Sequence, residues 1–577
     1  MGETDRPDRT PTPWPCRLAV LLALVIMLAL MADQAGRSSA TYDETTYLRV
    51  AAHWWRTGEQ AEIARMGSPL TFWKIQQAPT LYLLDQLGRG DWIDDPIGHQ
   101  ARLLPVVRLG SLWIAAVALL ATAWWARRLY GPRAMSLAAF LFALSPNLLA
   151  HGALSTMEMP LVAASAGGFA AFWRFLRDGD RCAFWAGAVL SGLAWSCKFT
   201  AVLIPPILAV LWWLDLRFSA ARGEPAPGRL ASLGVVFRGM LGFVAAMAAI
   251  NLVLTGFATI PLSPHGGDHP AIAARLPGFL RPWVGWLAHR SFPQDWVAFA
   301  VQMAHQKNGG PSYLLGETRQ AGWSYYYLVT LAVKVPIAVA LLFLARGFTR
   351  HPADRAGRLR DRGWFPIAVV LLFLLIASLA SKRNYGIRYL LPVAVPAIVW
   401  MSALAEGDRK RRLIEWAGVA GMGLSVGLIH PHELSYFNRL AGGPIGGRRI
   451  LSDSNLDWGQ GLRGLAALQR RRPELQDLTF YYFGDTDPAH YGVVGRTYTI
   501  DANHAPADLP PRLSATTRYL AVSSSLLWGP WGPPGYFRAL EGLSPLIDTD
   551  DATIAIFRVD TLRLEERPGG GYDEARP

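Results

Sequence analysis

Apolar residues along this chain come in long blocks, and their length sets the first expectation. About 20 helical residues cross the roughly 30 Å of bilayer hydrocarbon. Eleven blocks meet or approach that length: 17–32, 105–125, 134–151, 159–176, 183–197, 199–216, 239–257, 325–345, 364–380, 389–405 and 413–430. The pair 183–197 and 199–216 is the least regular, because Lys198 and Pro205-Pro206 interrupt it. After the last block the pattern changes. Residues 462–472 read as a helix, while Leu478–Phe483, Tyr519–Ser523 and Thr553–Val559 have the β-branched and apolar content of strands. The predicted fold class is an α-helical polytopic membrane protein with about eleven transmembrane helices and a small α/β C-terminal domain. Its two parts are 1–431, a transmembrane module with long loops at 33–104 and 258–324, and 432–577, the α/β tail.

Composition supports this picture, with 17% charged and 51% apolar residues and a mean hydropathy of +0.20. A net charge of +13 would suit a nucleic-acid binder if the basic residues formed one stripe. Instead they recur between apolar blocks. Arg127, Arg128 and Arg133 follow the second block; Arg174, Arg177 and Arg181 the fourth; Arg217, Arg222 and Arg229 the sixth. Six arginines from Arg346 to Arg362 follow the eighth, and Arg409 to Arg412 the tenth. Every second connection is basic, which places these loops and the N-terminus in the cytoplasm and the two long loops and the tail outside. No nucleic-acid partner is expected. The first block also reads as a signal peptide, with Ser38-Ser39-Ala40 as a cleavage site, and either reading leaves Asp43 outside. The three cysteines, Cys16, Cys182 and Cys197, lack metal-ligand spacing and lie outside the external segments, so no disulfide framework is expected there.

Three features carry candidate chemistry. Asp43 and Glu44 follow the first block, where one carboxylate facing a cleft would serve as general base toward an acceptor hydroxyl. The alternative is a helix N-terminal turn, with Asp43 as cap and Glu44 in the positive end of the dipole. Glu158, in the connection from His151 to Pro160, lies at the same membrane level and has the same alternative. The third feature breaks a rule, because the short external connection Ser381–Tyr389 carries Lys382, Arg383 and Arg388. An anionic group at the outer leaflet would offset that charge; Arg388 would hold a phosphate bidentately, with Lys198 as a second contact. Attraction to anionic lipid headgroups is the plainer alternative. Lys334 lies inside the eighth block, where snorkelling to the surface is the simple account. His265, Asp268 and His269 are close in sequence but weakly spaced for a metal.

Carboxylates and cations on one membrane face suit transfer of a group from a lipid phosphate to a nucleophile. The chain shows neither a Gly-rich phosphate loop nor an HExxH pattern. It resembles the GT-C class of membrane glycosyltransferases, and most closely bacterial members of the dolichyl-phosphate-mannose protein mannosyltransferase family (family 39), which include aminoarabinose transferases. The matching pieces are Asp43-Glu44, Ser155–Pro160, Lys198–Thr200, Gly310–Glu317, Gly322–Tyr327 and Arg388–Pro392, spread over most of 1–431. The resemblance implies inverting transfer of a sugar from a polyprenyl-phosphate donor to a protein, lipid or glycan acceptor in the periplasm, from a multi-pass position in a bacterial inner membrane. It implies Asp43 as base or acceptor-orienting carboxylate, Glu44 as acceptor-positioning and Glu158 as the second acidic residue. Lys198 and Arg388 would hold the donor phosphate, with Lys382 and Arg383 beside them. A divalent metal is a possible but unsettled cofactor, since relatives differ on this point. The tail departs from the family pattern at Pro431–Asn438, Gly442–Pro444 and Asp453–Gln460, a polar run that either contacts substrate or caps the external face. A transporter or flippase of a lipid-linked substrate is the rival reading. It would call for inverted repeats and midplane polar residues; no repeat is visible, and the ionisable residues lie mainly at the external ends of spans.

Overall fold

The computed structural model describes residues 11–69, 71–221, 228–262, 278, 283, 286–287, 290–349, 362–406, 409–502, 504–513, 517–540 and 542–559. The weakly spaced His265, Asp268 and His269 and the loop residues Arg222, Arg350, Arg355, Arg358 and Arg360 lie outside the described residues. In chain order the main helices are α1 (Trp14–Arg37), α2 (Tyr42–Thr57), α3 (Thr71–Gln86), α4 (Gln100–Leu129), α5 (Pro132–Ala143) and α6 (Pro146–Gly152). Then come α7 (Glu158–Asp178), α8 (Arg181–Cys197), α9 (Ile204–Ala221), α10 (Arg229–Leu254), α11 (Gln294–Asn308) and α12 (Tyr326–Lys334). The bundle closes with α13 (Ile337–Phe348), α14 (Phe365–Ala380), α15 (Leu391–Ser402) and α16 (Arg409–Gly427).

Each of the eleven expected spans falls on a helix or a bent pair. The chain is a multi-pass membrane protein. Among the described residues six helical stretches are individually long and apolar enough to cross a bilayer, and the bent pairs α5–α6 and α12–α13 raise this to eight. The other three fall short for plain reasons. At 17 and 16 residues, α8 and α14 reach only about 25 Å, and α16 opens on four consecutive basic residues.

Proline makes both bends. Pro146 and Pro336 cannot donate to the preceding turn, so the helix breaks and restarts in a new direction, by 65° and 111°. Broken backbone at membrane depth must be satisfied by protein. At the sharper bend Asn438 from the tail does this. Its amide nitrogen donates to the carbonyls of Ala332 (2.6 Å) and Val335 (3.0 Å), and its backbone N–H donates to Val333 (2.9 Å).

The bundle core centres on Phe172 of α7, whose ring meets Phe184, Trp212, Phe243 and Phe365 from four neighbouring helices. Small residues let these helices approach closely. At Gly192 a Cβ would lie 2.9 Å from the Met247 backbone of α10, so α8 and α10 pack here only with glycine.

Beyond the bundle, α17 (Leu462–Arg471) lies on a five-stranded sheet of β1 (Leu478–Phe483), β2 (Arg496–Ile500), β3 (Tyr519–Ser523), β4 (Ile547–Asp548) and β5 (Ile554–Arg558). The strand order is β2-β1-β3-β5-β4. β1 pairs in parallel with β2 and β3, while β5 runs antiparallel to β3 and β4. Leu462, Leu465 and Ala466 of α17 pack on Leu478, Phe480 and Tyr482, the alternate residues on one face of β1. The helix and three of the strands match expectation. The edge strand β2 and the two-residue β4 add to it.

Candidate active site

The site is built around the first turn of α2. Thr41 precedes that turn, and its backbone N–H and hydroxyl both donate to Glu44 Oε2 at 3.0 Å. Arg108 of α4 grips the same carboxylate with both arms, Nε to Oε1 at 2.9 Å and Nη2 to Oε2 at 2.6 Å. The Ser155 N–H adds a further bond to Oε1 at 2.7 Å. Arg108 also donates to the carbonyls of Ala35, Ser38 and Ser39. Both side chains are fully buried. Burial alone would raise the Glu44 carboxyl, but the guanidinium outweighs it and holds the group below the ordinary carboxylate range. This corrects the expectation that Glu44 positions the acceptor. Its oxygens are spent on protein groups and it does not line the cavity described below.

One residue earlier, and so about 100° round the helix, Asp43 faces that cavity. Its Oδ2 accepts from Arg388 Nη1 at 2.8 Å and from the hydroxyl of Tyr47, one helical turn on, at 3.3 Å. Arg388 sits in a 3-10 turn, Ile387–Leu390, that leads into α15. Lys198 closes α8, with its Nζ 2.7 Å from Glu158 Oε1 and 4.6 Å from the centre of the Tyr389 ring. Glu158 Oε1 lies 3.8 Å from Arg388 Nη1. The two acids and two cations predicted from separate spans therefore meet in one cluster.

A cavity of about 470 Å³ opens beside this cluster. Lys198, Arg383, Arg388 and Asp43 line its charged side, while Phe373, Ile376 and Ala377 of α14 form an apolar wall. Arg383 is held by its Nε bond to the Gly309 carbonyl at 2.8 Å. The adjacent Gly310 makes room, since a Cβ there would stand 2.8 Å from that Nε. Two further corrections follow. Lys382 is exposed and takes no part in the wall. Glu158 is 1% exposed and lies behind the cations, which it charge-pairs, so it does not reach the cavity as a second acidic group.

Lys334 is also placed differently from expectation. It does not snorkel; it is 1% exposed, and its Nζ donates to the carbonyls of Leu434 (3.0 Å) and Asn455 (2.6 Å). The tail has come to the lysine. The polar run of the tail thus caps the broken helices, and it also reaches the site. Trp458 is buried with its ring centre 4.5 Å from the Arg388 guanidinium, and its carbonyl accepts from the Tyr42 N–H at 2.7 Å. Sequence reasoning missed Trp458, Tyr47 and Arg108. A lone arginine inside an apolar block, and a tyrosine four residues after Asp43, were the available signals.

Among the described residues no three His, Cys, Asp or Glu side chains converge to hold a metal ion. The two site carboxylates are turned toward cations, and this donor set does not fit a divalent ion.

Residues 70–221 match the family model described as Dolichyl-phosphate-mannose-protein mannosyltransferase. That segment carries Ser155–Pro160 and Lys198, and the match bears out the family resemblance over this part of the chain. Solved structures similar to the chain include ArnT from Cupriavidus metallidurans bound to undecaprenyl phosphate. It is 14% identical, with a TM-score of 0.46, over 95% of this chain and 98% of that one. Another is the archaeal oligosaccharyltransferase AglB from Archaeoglobus fulgidus, in complex with an inhibitory peptide and a dolichol-phosphate. It is 14% identical, with a TM-score of 0.37, over 79% of this chain and 58% of that one. A comparison with curated protein sequences finds no match.

Proposed function

We propose that this protein is an inverting glycosyltransferase that moves one sugar from a polyprenyl-phosphate donor to a hydroxyl group of a protein, lipid or glycan. The observation that carries this reading is the 2.8 Å contact of Asp43 with Arg388 at the wall of a cavity that is cationic on one side and apolar on another. The apolar wall suits the first prenyl units and the cations suit the phosphate. The family model matched by residues 70–221 supports the same chemistry.

Asp43 Oδ2 is committed to Arg388 and Tyr47, which leaves Oδ1 to take the acceptor proton. As that proton leaves, the acceptor oxygen attacks the anomeric carbon from the face opposite the phosphate. The bond from that carbon to the phosphate oxygen breaks and its electron pair stays on the phosphate. The leaving group therefore gains a negative charge, which the wall cations Arg388, Lys198 and Arg383 are suited to offset. We place the N-terminus in the cytoplasm and the site on the periplasmic side of a bacterial inner membrane, from the basic connections between spans.

The reading is tested with purified protein in liposomes, a labelled polyprenyl-phosphate sugar and a cell-envelope acceptor fraction. Transfer is expected, and Arg388→Ala should raise the donor KM while leaving the acceptor KM in place. An unchanged donor KM contradicts the phosphate assignment.

A further inference from the structure

The cavity has a further wall, supplied by α11, that the proposed transfer does not yet use. Gln302 and Gln306 lie four residues apart on α11 and so share one face of the helix, and both line the cavity. The Gln306 Oε1 is buried and accepts no hydrogen bond. Four hydroxyls of the wall are already engaged. The Tyr47 hydroxyl donates to Asp43, that of Thr46 to Asp485, that of Tyr327 to Ser381 and that of Ser381 to the Arg383 carbonyl. A buried amide oxygen without a donor is unfavourable unless a ligand supplies one.

The charge inventory narrows that ligand. Among the described residues the wall holds one carboxylate, Asp43, against three cations, and Asp43 is itself paired with Arg388. A ligand ammonium would meet net positive charge and no free carboxylate. A neutral hydroxyl group meets an amide that both donates and accepts.

We infer that Gln302 and Gln306 form the recognition site for the donor sugar, and that this site takes a neutral, polyhydroxylated pyranose and discriminates against a cationic amino sugar. The inference rests on the donor reading above and adds the sugar class to it. The sugar lies against the α11 amides, with its anomeric carbon toward Asp43.

The test measures binding by the full-length protein in detergent. The four ligands are sugar-free undecaprenyl phosphate and the same lipid carrying a neutral hexose, a 4-amino-pentose or a hexuronate. The neutral-hexose lipid is expected to bind about tenfold more tightly than the amino-pentose lipid, and more tightly than the sugar-free lipid. Gln306→Leu should lose about tenfold in affinity for the neutral-hexose lipid with the sugar-free lipid unaffected, which also shows that the variant is folded. Gln302→Leu should act in the same direction, and Gln306→Glu should improve binding of the amino-pentose lipid. Equal binding of the neutral and amino sugars, preference for the hexuronate, or no effect of Gln306→Leu would overturn the inference while leaving the donor reading intact. Failure of the sugar-free lipid to bind the wild type would overturn both.

Discussion

Arg108→Met is the perturbation whose cost the structure defines most fully. It removes six hydrogen bonds, to Glu44 twice, to the carbonyls of Ala35, Ser38 and Ser39, and to the Ser38 hydroxyl. It also strands a carboxylate that is 0% exposed. Removing one partner of a buried ion pair costs about 3–5 kcal/mol. Glu44 keeps its bonds from Thr41 and Ser155, which argues for the lower end, about 3 kcal/mol. The assay is unfolding by denaturant titration in mixed micelles. Adding Glu44→Gln removes the stranded charge, so the double variant should recover about 1–2 kcal/mol. Acid gives a second check on the sign. In the wild type the Glu44 carboxyl is held below its unfolded value of about 4.3. Its stabilisation is therefore present above that pH and is lost as pH falls through the folded value. In Arg108→Met the guanidinium that outweighed burial is gone, and burial pushes the carboxyl up against only the bonds from Thr41 and Ser155, so protonation relieves the variant. The gap between the two proteins should narrow as pH falls from 7 toward 5. Additive single-variant costs under about 0.5 kcal/mol each, or a gap independent of pH, would refute the reasoning.

Other expectations follow from named contacts. Trp458→Leu removes the ring 4.5 Å from the Arg388 guanidinium, a cation–π contact of about 0.5–2 kcal/mol. Donor KM should rise roughly twofold to thirtyfold, and an unchanged value contradicts a role for the tail in the site. Lys382→Ala should leave donor affinity unaltered because the side chain is exposed, whereas Arg383→Ala, on the cavity wall, should weaken it; equal effects in a binding titration would count against this division. Lys334→Met leaves the Leu434 and Asn455 carbonyls without their donor, at about 1–3 kcal/mol. Limited proteolysis should then cut residues 432–460 faster than in the wild type, and an unchanged cleavage rate would contradict the anchoring role.

The apolar blocks made the helices legible, because a bilayer demands continuous stretches of a set length. The strands Leu478–Phe483 and Tyr519–Ser523 were legible because both faces of each are buried. Arg496–Ile500 was not, since an edge strand with a half-exposed pattern carries little apolar signal. At the site, Asp43, Lys198 and Arg388 stood out because charge near the end of a span is costly without a partner. What the pattern did not hold was direction. Asp43 and Glu44 are adjacent and chemically alike, and only the position of Arg108 decides which faces the cavity. The bend at Pro336 was hidden in one apolar block, so Lys334 read as a snorkelling residue when it is an anchor for the tail.

The proposed transfer depends on Asp43 as the group that takes the acceptor proton beside a phosphate-binding cluster. The most direct test is single-turnover transfer of labelled sugar by Asp43→Asn, with binding of undecaprenyl phosphate measured on the same preparation. The lipid should still bind, and transfer should fall by at least about a hundredfold. Wild-type turnover in Asp43→Asn with the lipid bound would contradict that role.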